Sequence, residues 1–217
     1  MRKPTIRRLF AYIIDAIIIS VIASALASVK VLNPYYAKYE LATENFEIVV
    51  EEATKDTKAL NELMNNNELT DLTYEISKYG VFSSIYSVVL TFLYFVGFQY
   101  FTKGKTLGKK IFGIEIVSND KEELTAMQLL KRSIVIHALV TSIISIVLIM
   151  TLSKANYLNY ARYVQLVETI LILGSIMFAL YREDGRGLHD LIAGTIVLLL
   201  GTSSYLKVII KGKRETN

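Results

Sequence analysis

The stretch Arg8-Leu9-Phe10-Ala11-Tyr12-Ile13-Ile14-Asp15 opens an apolar segment that is predicted to run as a helix through residues 9–29. Because about 20 apolar residues suffice to cross the hydrocarbon core of a bilayer, the segment predicts a first membrane span. Asp15 is the only charge in the segment and shares a helix face with Arg8, about 10 Å further along the axis. An ionisable group inside a membrane span needs a partner or a water-filled cavity, so the sequence demands a partner for Asp15.

The composition also indicates a multi-span membrane protein. Of the 217 residues, 53% are hydrophobic and 20% are charged, and the charges lie in blocks between apolar runs. The net charge of +4 is explained by cytoplasmic loops that face anionic lipid, so no nucleic-acid partner is predicted. The chain has no cysteine, which excludes disulfide bonds, thiol catalysis and thiolate metal sites.

Three further apolar segments predict three more spans, at residues 79–101, 133–152 and 164–181. Lysines and arginines are distributed unevenly around them. Seventeen lie in the segments 1–8, 102–132 and 182–217, and seven lie in the segments 30–78 and 153–163. By the positive-inside rule, the sequence predicts a multi-pass protein of the cell membrane with both termini in the cytoplasm, and with 30–78 and the short loop 153–163 outside.

Residues 30–78 are predicted to form an acidic extracytoplasmic insert, since they hold ten acids and five lysines. Helical apolar spacing from Tyr36 to Ala53, and a second short helix over Ala59 to Met64, predict a helical hairpin. The alternative is a loosely ordered, solvated loop.

Two short segments on the cytoplasmic side are predicted to pair. Residues 111–117 have the pattern of a strand, and the aliphatic runs within 195–210 have the pattern of a hairpin. An unpaired strand would leave its backbone groups unsatisfied, so the two segments should join. Thr125 is the predicted N-cap of the helix that leads into the third span. The predicted fold class is an all-α membrane protein with four transmembrane helices, an outer helical insert and a small cytoplasmic β element.

The sequence contains no motif for a common enzyme site. It lacks a Walker phosphate loop, a paired-histidine zinc motif and a nucleophile elbow. The stretch Gly104-Lys105-Thr106-Leu107-Gly108-Lys109-Lys110 resembles the end of a phosphate loop, but it lacks the upstream glycine and follows a membrane span. We therefore predict a protein that is not an enzyme and has no cofactor and no metal site.

Three blocks of the sequence, in this order and with spans between them, resemble those of RDD-family membrane proteins. The blocks are Arg8–Asp15, Gly104–Val117 and Gly187–Val197. The family is named for one arginine and two aspartates, which by motif match are Arg8, Asp15 and Asp190. The resemblance marks further motif positions: Gly104, Thr106, Gly108, Lys109, Gly113, Gly187, Gly194 and Thr195.

The resemblance implies a single RDD-type transmembrane domain over residues 1–217, with the 30–78 insert inside it. This chain departs from the family at Glu115, where the family pattern usually has a basic residue. Family members have been proposed to move small cations against protons, so the resemblance implies a transport protein.

Position along the chain places Arg8, Asp15, His189 and Asp190 at one membrane face, as candidates for an ion or proton site. We expect Asp15 to lie within hydrogen-bonding reach of Arg8 or of the Gly187–Asp190 turn, directly or through one water. Two interpretations stay open: the cluster binds an ion or a proton, or it is an Arg–Asp network that ties the first helix to the tail.

The leading hypothesis for function is a small-cation or proton-coupled membrane transport protein embedded in the lipid bilayer. Four spans leave little room for alternating access within a monomer, so transport implies a homo-oligomer. The alternative is a non-catalytic membrane accessory or protective factor that binds a protein, peptide or lipid through residues 30–78.

Overall fold

The computed structural model describes residues 4–55, 67–120 and 123–200. The helices in these ranges are α1 (Thr5–Ala27), α2 (Tyr36–Thr54), α3 (Asn67–Tyr79), α4 (Val81–Phe92), α5 (Gln99–Phe101), α6 (Leu107–Ile111), α7 (Ala126–Ile136), α8 (Leu139–Thr151), α9 (Lys154–Tyr181) and α10 (Leu188–Ala193). A π-helical segment, Leu93–Phe98, joins α4 to α5. Strands β1 (Ile114–Ser118) and β2 (Thr195–Leu199) form a two-stranded sheet.

Three helices in the described residues are long and apolar enough to cross a membrane: α1, the continuous run Val81–Phe101, and α9. At about 1.5 Å per residue, each exceeds the roughly 30 Å of a hydrocarbon core. Only 22%, 17% and 11% of their apolar windows are buried inside the protein. Most of their apolar surface therefore faces outward, where it can contact the hydrocarbon chains of lipid.

The predicted third span is broken. Helices α7 and α8 are bent by 60° at His137 and Ala138, and they make a fourth span only if the bent pair is taken as one. The prediction of one helix over 133–152 is therefore wrong. The break contains neither glycine nor proline. Instead, Ala138 adopts φ 51°, a left-handed conformation that few residues other than glycine adopt and that no sequence signal marks.

The loop conformation predicted for 153–163 is also wrong, because α9 begins at Lys154 and continues through the predicted fourth span. In the 30–78 segment, α2 confirms the helix predicted from Tyr36 to Ala53. The short helix predicted at 59–64 lies outside the described residues.

The two-stranded sheet confirms the predicted pairing, with shifted bounds. β1 and β2 are antiparallel, with Ile114 opposite Leu199 and Ser118 opposite Thr195. The strand predicted from residue 111 starts at Ile114, since residues up to Ile111 belong to α6. Residues beyond Leu200 in the predicted hairpin lie outside the described part of the chain.

Contacts divide the chain into two compact units. The first comprises the described parts of residues 1–20, 88–141 and 165–217, and it holds the sheet. Its core is a cluster of fully or almost fully buried apolar side chains: Ala11, Val96, Ile114, Ile116, Leu129 and Val197. Helix α10 packs against α7 in this unit. The N-cap predicted at Thr125 is confirmed, and the structure shows that it forms a capping box with Gln128.

The second unit comprises the described parts of residues 21–87 and 142–164. Helices α2 and α3 pack against each other in it. Lys154 forms an ion pair with Asp71, and the rings of Tyr74 and Tyr157 lie 5.6 Å apart. The 30–78 segment therefore packs on the first turns of α9 within this unit.

Candidate functional site

Asp15 is completely buried in α1, and its carboxylate accepts three hydrogen bonds. The Tyr94 hydroxyl donates to Oδ1 over 2.7 Å and the Gly108 amide over 2.8 Å, while the Thr106 hydroxyl donates to Oδ2 over 2.5 Å. The donors come from the π-helical segment and from the start of α6. All three are neutral, so they fix the carboxylate without cancelling its charge.

The cation nearest to Asp15 is Lys109, whose Nζ lies 3.9 Å from Oδ2. The same nitrogen lies 3.3 Å from the Thr106 hydroxyl oxygen and 5.4 Å from the centre of the Phe95 ring. Lys109 is 9% exposed. Burial, and then the charge of Arg132, lower the pKa of this lysine to about 7, although the Asp15 carboxylate acts in the opposite direction.

Local sequence explains how α6 reaches Asp15. Thr106 caps the helix by accepting from the Lys109 amide. A side chain at Gly108 would overlap the Ala11 carbonyl oxygen of α1 and lie 3.0 Å from the Asp15 carboxyl carbon. Glycine at this position therefore allows α6 to meet α1 at the carboxylate.

Asp190, completely buried in α10, is held in a different way. The Arg8 guanidinium donates to Oδ2 and the Arg132 guanidinium donates to Oδ1. The Gly187 amide also donates to Oδ2, over 3.0 Å, and the Thr195 hydroxyl lies 3.3 Å from Oδ1. Two permanent cations on one carboxylate make a charge-assisted network that links α1, α7 and α10.

His189 completes the Asp190 network as a neutral ring. Its Nε2 lies 3.1 Å from the Arg8 guanidinium, and its Nδ1 contacts the Ser175 hydroxyl. Burial, followed by the charges of Arg132 and Arg8, holds the pKa of His189 well below its usual range. The contact with Arg8, which can only donate, favours the tautomer with its proton on Nδ1, whereas Asp190 Oδ2, 3.3 Å from Nε2, favours the other.

The structure brings Arg8, His189 and Asp190 together, as the sequence predicted, but it places Asp15 among other partners. Asp15 bonds Tyr94, Thr106 and Gly108, and the carboxylate partner of Arg8 is Asp190. The expected direct hydrogen bond from Asp15 to Arg8 or to the Gly187–Asp190 turn is therefore wrong. Arg8 and Asp15 share a face of α1, but the helices packed against that face determine which groups each side chain contacts.

Sequence reasoning missed three members of these networks: Tyr94, Arg132 and Ser175. Arg132 had a usable signal, since it shares the buried face of α7 with Leu129 and Ser133 at helical spacing. A charge on an apolar face indicates a buried partner. Tyr94 and Ser175 had no comparable signal, because each is one of many similar residues in an apolar run.

The remaining motif positions shape the backbone beside the two carboxylates. The Gly104 carbonyl accepts from the Ile116 amide and thereby covers the free edge of β1. Gly113 bonds Leu200 at one end of the sheet, and Gly194 bonds Asn119 at the other. Thr195 is completely buried and receives a hydrogen bond from Arg132 over 3.2 Å. Within the described ranges, no three His, Cys, Asp or Glu side chains come together to hold a metal ion.

The model of a protein family described as the RDD family matches residues 2–194. The chain belongs to the RDD family. The resemblance seen in three sequence blocks is thereby confirmed, and the matched range includes Asp15, Asp190 and the segment 30–78. No curated protein and no solved structure matches this RDD-family chain.

Proposed function

We propose that this membrane protein exchanges a small cation for protons across the bilayer, without enzymatic chemistry, and that Asp15 is the exchange site. The supporting observation is the contrast between the two buried carboxylates. Asp190 is bonded to two guanidinium groups, which stay protonated in proteins, so its charge is permanently compensated. Asp15 is bonded to neutral donors, and its nearest cation, Lys109, lies at 3.9 Å.

The environment of Lys109 supports a coupled proton. A buried lysine whose pKa is near 7 changes its charge within the physiological range, as a proton carrier must. Loss of that proton leaves the Asp15 charge uncompensated in an apolar setting, where a small cation is then favoured. The Asp190 network serves as the fixed support of the site.

The test is ion flux in proteoliposomes that contain only this purified chain, driven by a pH gradient. The wild-type chain should release protons against an added monovalent cation. Asp15→Asn should fold, because its amide oxygen still accepts from Tyr94, and should carry no flux. Flux in Asp15→Asn equal to the wild type would remove Asp15 from the proposal.

A second candidate function, binding of a partner by the 30–78 segment, is favoured by the exposed face of α2. Glu40, Glu44, Glu47 and Glu51 follow each other along that face at helical spacing and are exposed. Like charges at this spacing repel one another, so a basic peptide would relieve the repulsion. Binding of a lysine-rich amphipathic peptide that is lost when the four glutamates become glutamine would support this function, and equal binding by both forms would refute it.

A further inference from the structure

The head group of Lys109 occupies a position with the chemistry of an ammonium-binding site. A carboxylate, a hydroxyl and an aromatic face surround its nitrogen: Asp15 Oδ2 at 3.9 Å, Thr106 Oγ1 at 3.3 Å and the Phe95 ring at 5.4 Å. Carboxylates and hydroxyls accept from ammonium groups, and an aromatic face attracts any cation placed over it.

The arrangement of Asp15, Thr106 and Phe95 around this nitrogen does not depend on the ammonium group of Lys109. Tyr94, Thr106 and the Gly108 amide fix the Asp15 carboxylate from two elements. Every buried side-chain nitrogen and oxygen among the described residues has a hydrogen-bond partner. The anionic centre is therefore preorganised by neutral groups, and Lys109 adds the only positive charge within 4 Å of it in the described part of the chain.

Lys109 itself is held loosely for a buried cation. An ammonium group has three donors, and the hydrogen bond found for this one among the described residues goes to Thr106. Its distance to the carboxylate is longer than a charge-assisted hydrogen bond of about 2.7–2.9 Å. The two arginines on Asp190, by contrast, are in direct contact with their carboxylate.

We propose that Asp15, Thr106, Tyr94 and Phe95 form a binding site for a small monovalent cation of the ammonium class, and that Lys109 fills this site as a tethered competitor. The inference rests on the proposed transport function and names the class of its cation. A cation that enters the site replaces the Lys109 head group at the carboxylate. Ammonium and methylammonium match the size and charge of that head group, whereas the bulkier choline does not.

The experiment removes the tether and offers the free cation. Lys109→Ala deletes the ammonium group and the stem that carries it. Its unfolding midpoint should rise by several degrees with ammonium or methylammonium chloride, at constant ionic strength set by choline chloride. The wild-type midpoint should respond much less, because its own lysine competes. Lys109→Met, which keeps the stem without the charge, is measured in parallel and replaces Lys109→Ala if that variant does not fold.

Two controls make the response specific. The double variant Lys109→Ala, Asp15→Asn lacks the carboxylate and should lose the rise. Lys105→Ala breaks an ion pair with Glu115 at 3.3 Å, elsewhere in the same unit, and should behave like the wild type. If the unfolding midpoint rises with sodium chloride but not with ammonium chloride, the cation is not of the ammonium class. If it rises with no cation in either Lys109 variant, the proposed binding site does not exist.

Flux measured on the same preparations separates this inference from the proposed function. Proton-coupled flux in the wild type without a cation response in the Lys109 variants leaves transport standing and refutes the ammonium site. A cation response without wild-type flux supports the site and refutes transport.

Discussion

At the residue scale, the two buried aspartates differ in the groups that compensate their charge. Asp190 bonds two guanidinium groups, whereas Asp15 bonds two hydroxyls and one amide. Removing one partner of a buried ion pair leaves an uncompensated charge, which is more costly than losing a hydrogen bond between neutral groups. The two positions should therefore respond differently to the same substitution.

We expect Asp190→Asn to lower the free energy of unfolding by about 3–5 kcal/mol, since Arg8 and Arg132 would be left buried without a counter-charge. Asp15→Asn should lower the free energy of unfolding by a smaller amount, because the amide oxygen still accepts hydrogen bonds. Unfolding of both variants in detergent shows which substitution destabilises the protein more. Asp184→Asn is the matched control, since its partners Arg182 and Arg186 lie in a solvated loop. This substitution should change the free energy of unfolding little. An equal loss at residues 15 and 190 would contradict this assignment.

The pH dependence of stability should report Lys109. Its pKa falls from 10.5 to about 7 on folding, chiefly through burial, with Arg132 and Arg8 lowering it and Asp15 raising it. Between these two pH values the unfolded chain keeps a proton that the folded chain has released, so stability rises as the pH rises from about 7. Unfolding midpoints of the wild type and Lys109→Met measure this, and the slope should be flatter in the variant. Parallel slopes would exclude a strongly lowered pKa.

Sequence reasoning at this scale found both buried aspartates and Arg8, but it missed Arg132 and the partners of Asp15. Arg8, His189 and Asp190 were selected correctly as neighbours, because position along the chain places all three at one membrane face and the resemblance to the RDD family marks Arg8 and Asp190. The partners of Asp15 could not be inferred, because a π-helical turn orients Tyr94 and a close approach at Gly108 brings α6 to α1. Both features depend on tertiary contacts, which leave no periodic signal in the sequence.

At the element scale, Gly104 controls the junction between the second span and the sheet. It has φ 84°, and a side chain there would overlap the Ile116 carbonyl oxygen. Gly113 has φ 64°, but the nearest atom to an added carbon is Arg7 Nη1 at 3.7 Å. The two glycines therefore share a left-handed backbone and differ in the space around them.

We expect Gly113→Ala to lower the free energy of unfolding by about 1–2 kcal/mol, the cost of a left-handed non-glycine residue. Gly104→Ala carries that cost and a backbone overlap in addition, so it should give little folded protein. Yield and thermal unfolding of the two variants in detergent provide the comparison. Equal yields and unfolding temperatures of the two variants would show that β1 can move away from residue 104 at little cost in stability.

The elements themselves were predicted unevenly. Apolar length found α1 and the run Val81–Phe101. Alternation around Gly113 and Glu115 found β1, and an aliphatic run found β2. The break between α7 and α8 was missed because its residues, His137 and Ala138, are compatible with a continuous helix. Stacking of the His137 ring on Phe95, with centroids 3.5 Å apart, fixes the break against the π-helical segment, and sequence spacing does not reveal such a contact.

At the scale of the whole molecule, the orientation in the membrane is a prediction from charge. Segments with 17 of the 24 lysines and arginines should face the cytoplasm, and the acidic segment 30–78 should face outward. The natural chain has no cysteine, so single cysteines report accessibility without background. Asn67, at the start of α3, and Asn119, after β1, are exposed in the structure and suit this purpose.

In intact cells, a membrane-impermeant thiol reagent should label Asn67→Cys and leave Asn119→Cys unlabelled. Asn119→Cys should react after permeabilisation, which shows that its thiol is accessible. The physical reason is that lysine and arginine resist transfer across the membrane, so the basic segment 102–132 stays inside. Labelling of both positions in intact cells would contradict the predicted orientation. It would also place the Asp15 and Asp190 networks near the outer face, because Gly108 and Lys109 belong to that same basic segment.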